Sequence, residues 1–528
     1  MLSDMSRVVE DSARGGFYLT LGNITSTIIQ AISVFIIARI LGSEQYGIYT
    51  ISTIIPTLLL LFVDPGIDQG ITKYAASLQT KGQKDRIPKL LAHGILLKTT
   101  LATAAFAACF IFADQFAIHI LNRPEIAPEV TWYIQLASAM IIFQAIWTTI
   151  NSAFVGLDRT QYNALTTTIQ ATIKGVIAPI LVIIGLSITG ALLGYVISLL
   201  MASLLGISLF IIKIYRPLNH SNTSNGKIAG NVKTLIRYGL PLYISILIGG
   251  FALQYQNILL SIFTTNHEIG NYKAAMNFTV IVSSLAIPIA TTLLPAFSKL
   301  ESNKEDVKQF LEMAIKYTSM TILPIATLLI IYSEEITQIM YGTSYELAPT
   351  FLAIYTLQFF LVGLGSIVLG SLFSGLGETR LNLRTTLANS IIVITVAPIL
   401  TWFLKITGMI ATIILASIVS TLYALHIARK KYELKLDART TAKTYIVTII
   451  SALPILALQK ILLTSTLIQV ILGATIYLTT YLILIPTTKI ITQPELEQIR
   501  TIIEKIKLLK YFAYPIFYFG EKILSKMP

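Results

Sequence analysis

Lys98, Lys174, Asp64 and Asp68 stand inside apolar stretches of the chain. A charge in lipid is expensive and normally faces a cavity or a partner. Lys174 is the deepest. Its helix enters the membrane near Tyr162, so at 1.5 Å per residue Lys174 lies ~18 Å in, too deep for easy snorkelling. An ammonium there can hold an anion, such as the phosphate joining a sugar to a lipid, by a charge-assisted bond that low dielectric strengthens. A buried structural partner is the alternative. Lys98 enters less deeply; it can join Lys174 in holding the phosphate, or its stem can snorkel back to the headgroups. Asp64 and Asp68 lie one turn apart on one helix face, flanking the local break Pro65-Gly66. They can bind a proton or Na⁺, or pair with Lys98, Lys174 or a basic loop; pairing is slightly favoured.

The uncharged candidates are amides: Asn23 and Gln30 in span 1, Gln254, Gln256 and Asn257 in span 7, and Asn277 in span 8. Amides hydrogen-bond sugar hydroxyls, and equally bond helix to helix. Nothing points to bond-making chemistry. There is no G-x-x-x-x-G-K-[ST] loop for ATP and no nucleophile elbow, and His93, His119, His220, His267 and His426 are scattered. Cys109, the one cysteine, reads as a small buried apolar residue, which excludes a disulfide and a thiolate zinc site. No catalytic residue, metal or cofactor is expected, beyond a coupling H⁺ or Na⁺.

What must position these groups is a set of membrane helices. Of the 528 residues 54% are hydrophobic and 12% charged, about half the charged share of a soluble protein. The apolar residues fall in blocks long enough for the ~30 Å hydrocarbon layer. The fold class is therefore all-α integral membrane, with about fourteen spans placed by hydropathy. They fall near 17–41, 47–70, 91–113, 131–155, 162–185, 189–212, 238–262, 271–297, 314–332, 349–372, 385–404, 407–427, 442–460 and 465–486. The tight pairs divided at Ser187–Ile188 and Lys405–Ile406 decide the count.

The net charge of +13 reads as topology rather than nucleic-acid binding, because Lys and Arg crowd alternate loops. Lys73, Lys81, Lys84, Arg86 and Lys89 follow span 2; Lys213, Arg216, Lys227, Lys233 and Arg237 follow span 6; Arg429, Lys430, Lys431, Lys435, Arg439 and Lys443 follow span 12. The positive-inside rule then puts both termini in the cytoplasm, with the cell membrane as location. The first apolar block is too long for a cleavable signal core. After span 14, Leu496, Ile499, Ile502, Ile506 and Leu509 recur at helical spacing, an amphipathic helix suited to the headgroup layer or to a partner.

The chain also repeats itself. A shift of 223 residues carries Gly47, Tyr49 and Pro65 onto Gly270, Tyr272 and Pro288. A shift of 219 carries Ser152, Phe154, Gly156, Leu157, Thr160 and Asn163 onto Ser371, Phe373, Gly375, Leu376, Thr379 and Asn382, and Ala178–Leu181 onto Ala397–Leu400. Each copy holds an even number of spans, so both insert in the same direction, related by an axis along the membrane normal. The expected organisation is an interfacial or cytoplasmic N-terminus (1–16), an N-lobe of six spans (17–212), a basic cytoplasmic linker (213–237) and a C-lobe of six spans (238–427). Two further spans (428–486) and an interfacial tail (487–528) complete it. Such a repeat permits a cavity between lobes and rocking about it.

At the end of span 1 stands Arg39-Ile40-Leu41-Gly42-Ser43-Glu44-Gln45-Tyr46-Gly47-Ile48-Tyr49. This resembles the R-x-L-G-x-x-x-Y-G-x-Y signature of polysaccharide-biosynthesis (Wzx-like) flippases, a branch of the multidrug/oligosaccharidyl-lipid/polysaccharide exporter superfamily. Gly15-Gly16-Phe17 and Gly22-Asn23 are similar to the start of span 1 in this branch, its archaeal members above all. The resemblance implies an inverted V of two lobes and a cationic central cavity. Through that cavity the head of a lipid-linked sugar crosses while its tail stays in the bilayer, with glycosyltransferases of the same pathway as partners. A plainer role for the motif is structural: Gly42 and Gly47 would bracket a tight outer turn, with Arg39 and Glu44 at the membrane surface. Of the rivals, a drug–cation antiporter of this superfamily generally carries an acid in span 1 or 7, and both spans here lack one. A lipid II-type flippase is nearer. A membrane polymerase or ligase would need a large outer loop, and the longest outer loop, about 114–129, is short. The repeat argues against a mere scaffold.

Overall fold

In lipid no water is available to the backbone, so each span must satisfy its own N–H and C=O groups. A computed structural model describes residues 2–218, 228–300, 304–434, 437–459, 465–495 and 497, and every regular element among them is helical. The tail beyond Glu497 lies outside the described residues, as do the side chains of residues 2–21 and Asn23.

Two compact units form. The first comprises Met1–Asn277, Thr343–Leu347 and Val393–Met409. Its helices are α1 (Leu2–Ser52), α2 (Ile54–Val63), α3 (Ile67–Thr80), α4 (Ile87–Ile111), α5 (Ala127–Gly156), α6 (Thr160–Leu181), α7 (Ser187–Phe210), α8 (Ile228–Phe263) and α9 (Asn266–Asn277). The second comprises Phe278–Gly342, Ala348–Ile392 and Ile410–Pro528. It holds α10 (Thr279–Lys299), α11 (Lys304–Ile331), α12 (Ala348–Thr356), α13 (Val368–Gly375), most of α14 (Thr379–Tyr432), α15 (Ala438–Ile450) and α16 (Thr466–Thr487). Ile71, Leu91, Phe154 and Leu235 knit α3, α4, α5 and α8 into one apolar cluster. Phe297, Leu311, Leu372 and Leu425 do the same for α10, α11, α13 and α14.

Among the described residues nine helices are long and apolar enough to cross a membrane, or ten with the bent pair Ala348–Leu364 and Val368–Gly375. Three of them, Thr25–Val63, Thr160–Tyr215 and Thr379–Tyr432, run 39, 56 and 54 residues, far beyond the ~20 of one crossing. Each breaks near where hydropathy divides it, at Gly42 (φ 71°), Ser187 (φ 47°) and Lys405 (φ 51°). At the last two the chain doubles back: a Cβ on Gly190 would strike the backbone of Leu181, and one on Gly408 that of Leu400. Span 13 falls on α15 and the short helix Leu453–Gln459.

The backbone repeats with the sequence. The helices α5 and α13 end at Gly156 and Gly375; the next begin at Thr160 and Thr379. Between them Asp158 and Gly377 both take positive φ. A Cβ at Gly156 would sit 2.6 Å from the Thr72 carbonyl oxygen, and one at Gly375 2.6 Å from that of Leu294. Past the hairpins the offset falls by one residue, Ser187 answering Lys405 and Gly190 answering Gly408. The repeats differ at one span. Helix α5 is continuous, whereas its counterpart winds into a 3₁₀ stretch at Leu357–Leu364 and bends by 48° at Gly365 (φ 86°) before α13.

Candidate substrate site

Three lysines of the first unit lie in or beside its apolar helices, in different electrostatic settings. Lys98, on α4, is 3% exposed. Its Nζ donates to Asp68 Oδ2 at 2.5 Å and to Thr148 Oγ1 at 2.9 Å, and lies 3.4 Å from Asp64 Oδ2. Asp64 sits at the end of α2, where its Oδ1 accepts from the N–H groups of Ile67 (2.7 Å) and Asp68 (3.2 Å) and so opens α3. Two carboxylates thus share one ammonium, and the buried Asp68 Oδ1 has no hydrogen-bond partner.

Lys174, on α6, is half-buried, and its Nζ lies 3.8 Å from the centre of the Tyr195 ring on α7. A cation over a tyrosine face is held by the ring quadrupole, by ~0.5–2 kcal/mol. Such a contact orients the ammonium without neutralising it. Lys273, on α9, donates to Asn257 Oδ1 at 2.8 Å; Asn257 in turn donates to Gln254 Oε1 at 3.1 Å. Among the described residues no carboxylate comes within ion-pair distance of Lys174 or Lys273.

The structure therefore joins Lys98 with Asp64 and Asp68, and joins Asn257 with Gln254. It does not join Lys174 to either carboxylate. Asn277 donates to the Tyr46 hydroxyl at 3.1 Å, and Tyr46 stacks on Tyr49 at 5.9 Å. Gln30 is half-buried and makes no side-chain hydrogen bond to a described residue. Lys273 is a site residue that the sequence analysis does not single out. Its spacing from Asn277, which puts both on one helical face, was the available signal.

The span 1 motif has a packing role. Gly42 makes the bend, with Leu41 buried and Arg39 exposed beside it. Gly47 does not bracket a turn, as expected of it; it lies within α1, and a Cβ there would overlap the Asn266 carbonyl. Its repeat counterpart Gly270 would likewise overlap the carbonyl of Ser43, the counterpart of Asn266. Corresponding segments of the two repeats thus cross backbone to backbone, as small residues permit. Around this crossing the Ser43 hydroxyl meets His267 Nδ1 at 2.7 Å, and Arg123 donates to Asn266 Oδ1 at 2.8 Å and the Thr264 carbonyl at 2.6 Å.

Duplicated helical bundles and broken apolar spans define a polytopic α-helical membrane fold, with Lys174 and Lys273 lacking a counter-ion among the described residues. The chain belongs to the polysaccharide biosynthesis protein family, whose family model matches residues 12–301. It is 21% identical over 246 residues to the "Probable low-salt glycan biosynthesis flippase Agl15" of Haloferax volcanii, covering 46% of this chain and 52% of that protein. The match thus spans about half the length of this relative. Among solved structures it is similar to the lipid II flippase MurJ in an inward closed conformation, with TM-score 0.72, 16% identity and coverage of 88% of this chain and 98% of that one. An inward-facing multidrug resistance transporter of the MATE family follows at TM-score 0.66 and 16% identity, covering 77% and 94%. Both likenesses are likenesses of fold.

Proposed function

We propose that this chain flips a lipid-linked sugar or oligosaccharide from the inner to the outer leaflet of the cell membrane by alternating access. It performs no bond-making chemistry, and both termini lie in the cytoplasm. The lobes 17–212 and 238–427 rock about a wet gap, and glycosyltransferases of the same pathway supply the substrate. The observation that carries this reading is the unneutralised Lys174. An ammonium in a membrane helix without a carboxylate suits an anionic cargo, and the phosphate linking sugar to lipid is one. Lys273 adds a second such charge, with Gln254, Asn257 and Asn277 as amides for sugar hydroxyls. The Lys98–Asp64–Asp68 cluster, with one carboxylate more than it has ammonium, is the place where H⁺ or Na⁺ would couple to transport. A drug–cation antiporter is the weaker reading, since these acids are held by Lys98.

The test uses purified protein in liposomes carrying a fluorescent polyprenyl-phosphate-linked sugar. Lys174→Ala should slow flipping by about tenfold or more, the weight of one strong charge-assisted bond, while Lys174→Arg retains part of the rate. Full activity of a well-expressed Lys174→Ala protein would remove Lys174 from the mechanism.

A further inference from the structure

The second unit contains a hollow of about 260 Å³ where the bent span meets α14. Its wall carries Ser366, Thr385, Thr386, Asn389, Ser420 and Thr421 over an apolar floor, with no charged residue among its lining. The side chains of Ser366, Thr386, Asn389 and Thr421 make no hydrogen bond to another described residue, although Thr421 is only 6% exposed. Of these Thr421 is buried, Asn389 is half-buried, and Ser366 and Thr386 are exposed, so the hollow presents donors and acceptors with no described partner to whatever enters it.

Comparison with the first repeat shows how the hollow arises. There the Asn151 side chain fills the corresponding space and its Oδ1 accepts from Thr166 at 2.8 Å; Gln170 donates to Ser198 at 3.1 Å. The second repeat puts Gly370 in place of Asn151 and Ala416 in place of Ser198. Thr385 and Asn389, which answer Thr166 and Gln170, thereby lose those partners. Gly370 needs no special backbone angle, and a Cβ on it would meet nothing nearer than 4.0 Å. The absent side chain therefore leaves open space rather than a close helix contact. The break at Gly365 adds unwound backbone at the same place, and membrane proteins tolerate unwound backbone where it borders a cavity or lies buried in protein.

We infer that this hollow seats a neutral sugar ring of the cargo. Hydroxyls and an amide match a polyol, and the lack of charge discriminates against phosphates and acidic sugars. A volume below the ~300–1,000 Å³ of ordinary ligand pockets suits one ring rather than a chain. This assignment rests on the transport reading.

The test is binding to the full chain in lipid nanodiscs with two probes, a polyprenyl-phosphate-linked glucose and the sugar-free polyprenyl phosphate. Gly370→Asn, which restores the first repeat's side chain, should weaken binding of the glucose lipid by about tenfold, the worth of one or two lost hydrogen bonds. It should leave the sugar-free lipid unaffected. Asn389→Leu should act in the same direction, with thermal unfolding as the check that both variants are folded. Excess free glucose should not displace the lipid-linked probe; displacement would mean a site for soluble sugar and would overturn the assignment. Variants that match wild type on both probes, or wild type that binds the two probes alike, would also overturn it. Wild type that binds neither probe would instead sink the transport reading itself.

Discussion

The two repeats share a backbone and differ in what they hold. At matched positions the first carries Lys174 beside Tyr195 where the second carries Val393 and Ile413, and Asp64 and Asp68 where the second has Ile287 and Thr291. At these positions the first pairs its amides, Asn151 with Thr166 and Gln170 with Ser198. The second leaves hydroxyls and Asn389 bare around Gly370. Helix ends, positive-φ positions and close glycine contacts recur between them, so a duplicated scaffold need not give duplicated sites. Lys174, Asp64 and Asp68 belong to one half and the bare polar surface around Gly370 to the other, a difference of side chains at few positions with the helix register kept.

The largest effect expected from breaking this comparison falls where the repeats are alike. Gly47→Leu or Gly270→Leu drives a side chain into the facing backbone, which cannot yield as a side chain can. Neither variant should give monodisperse protein on size exclusion, whereas a well-folded Gly47→Leu protein would show that the crossing of α1 and α9 can open. Next comes the charge cluster special to the first repeat. Asp68→Ala removes the nearer of the two carboxylates facing the buried Lys98 while Asp64 stays, and should cost ~1.5–3 kcal/mol, the weight of a hydrogen bond to a charged group, visible as a lowered Tm. Adding Lys98→Met and Asp64→Asn to Asp68→Leu should recover much of that stability, because no member of the cluster is then left charged without its partner. No recovery in the triple variant would mean that the cluster's packing, not its charge, stabilises the fold.

The smallest stability effect tests the difference most directly. Lys174→Val with Tyr195→Ile imports the second repeat's apolar pair into the first. Unfolding should shift by no more than ~1–2 kcal/mol, since a cation–π contact gives way to an apolar one, while flipping should fall as in Lys174→Ala. A variant that unfolds before flipping can be measured would recast Lys174 as a structural residue.

Hydropathy marked the membrane, the tight hairpins at Ser187 and Lys405 and the charged candidates, because a span must be apolar along its whole length, and residue identities at a fixed shift marked the duplicated register. The Asp64–Asp68 face was legible from helical spacing, and its pairing with Lys98 was among the options that spacing left open. Residues far apart in the chain find their partners through packing, and no local pattern encodes that. Only the folded chain placed Lys174 over Tyr195 and Lys273 against Asn257. It also turned Gly47 from a turn residue into a crossing point. The empty place at Gly370 is the clearest case: a missing side chain leaves a hollow only when nothing else moves in, and that is decided by the neighbouring helices.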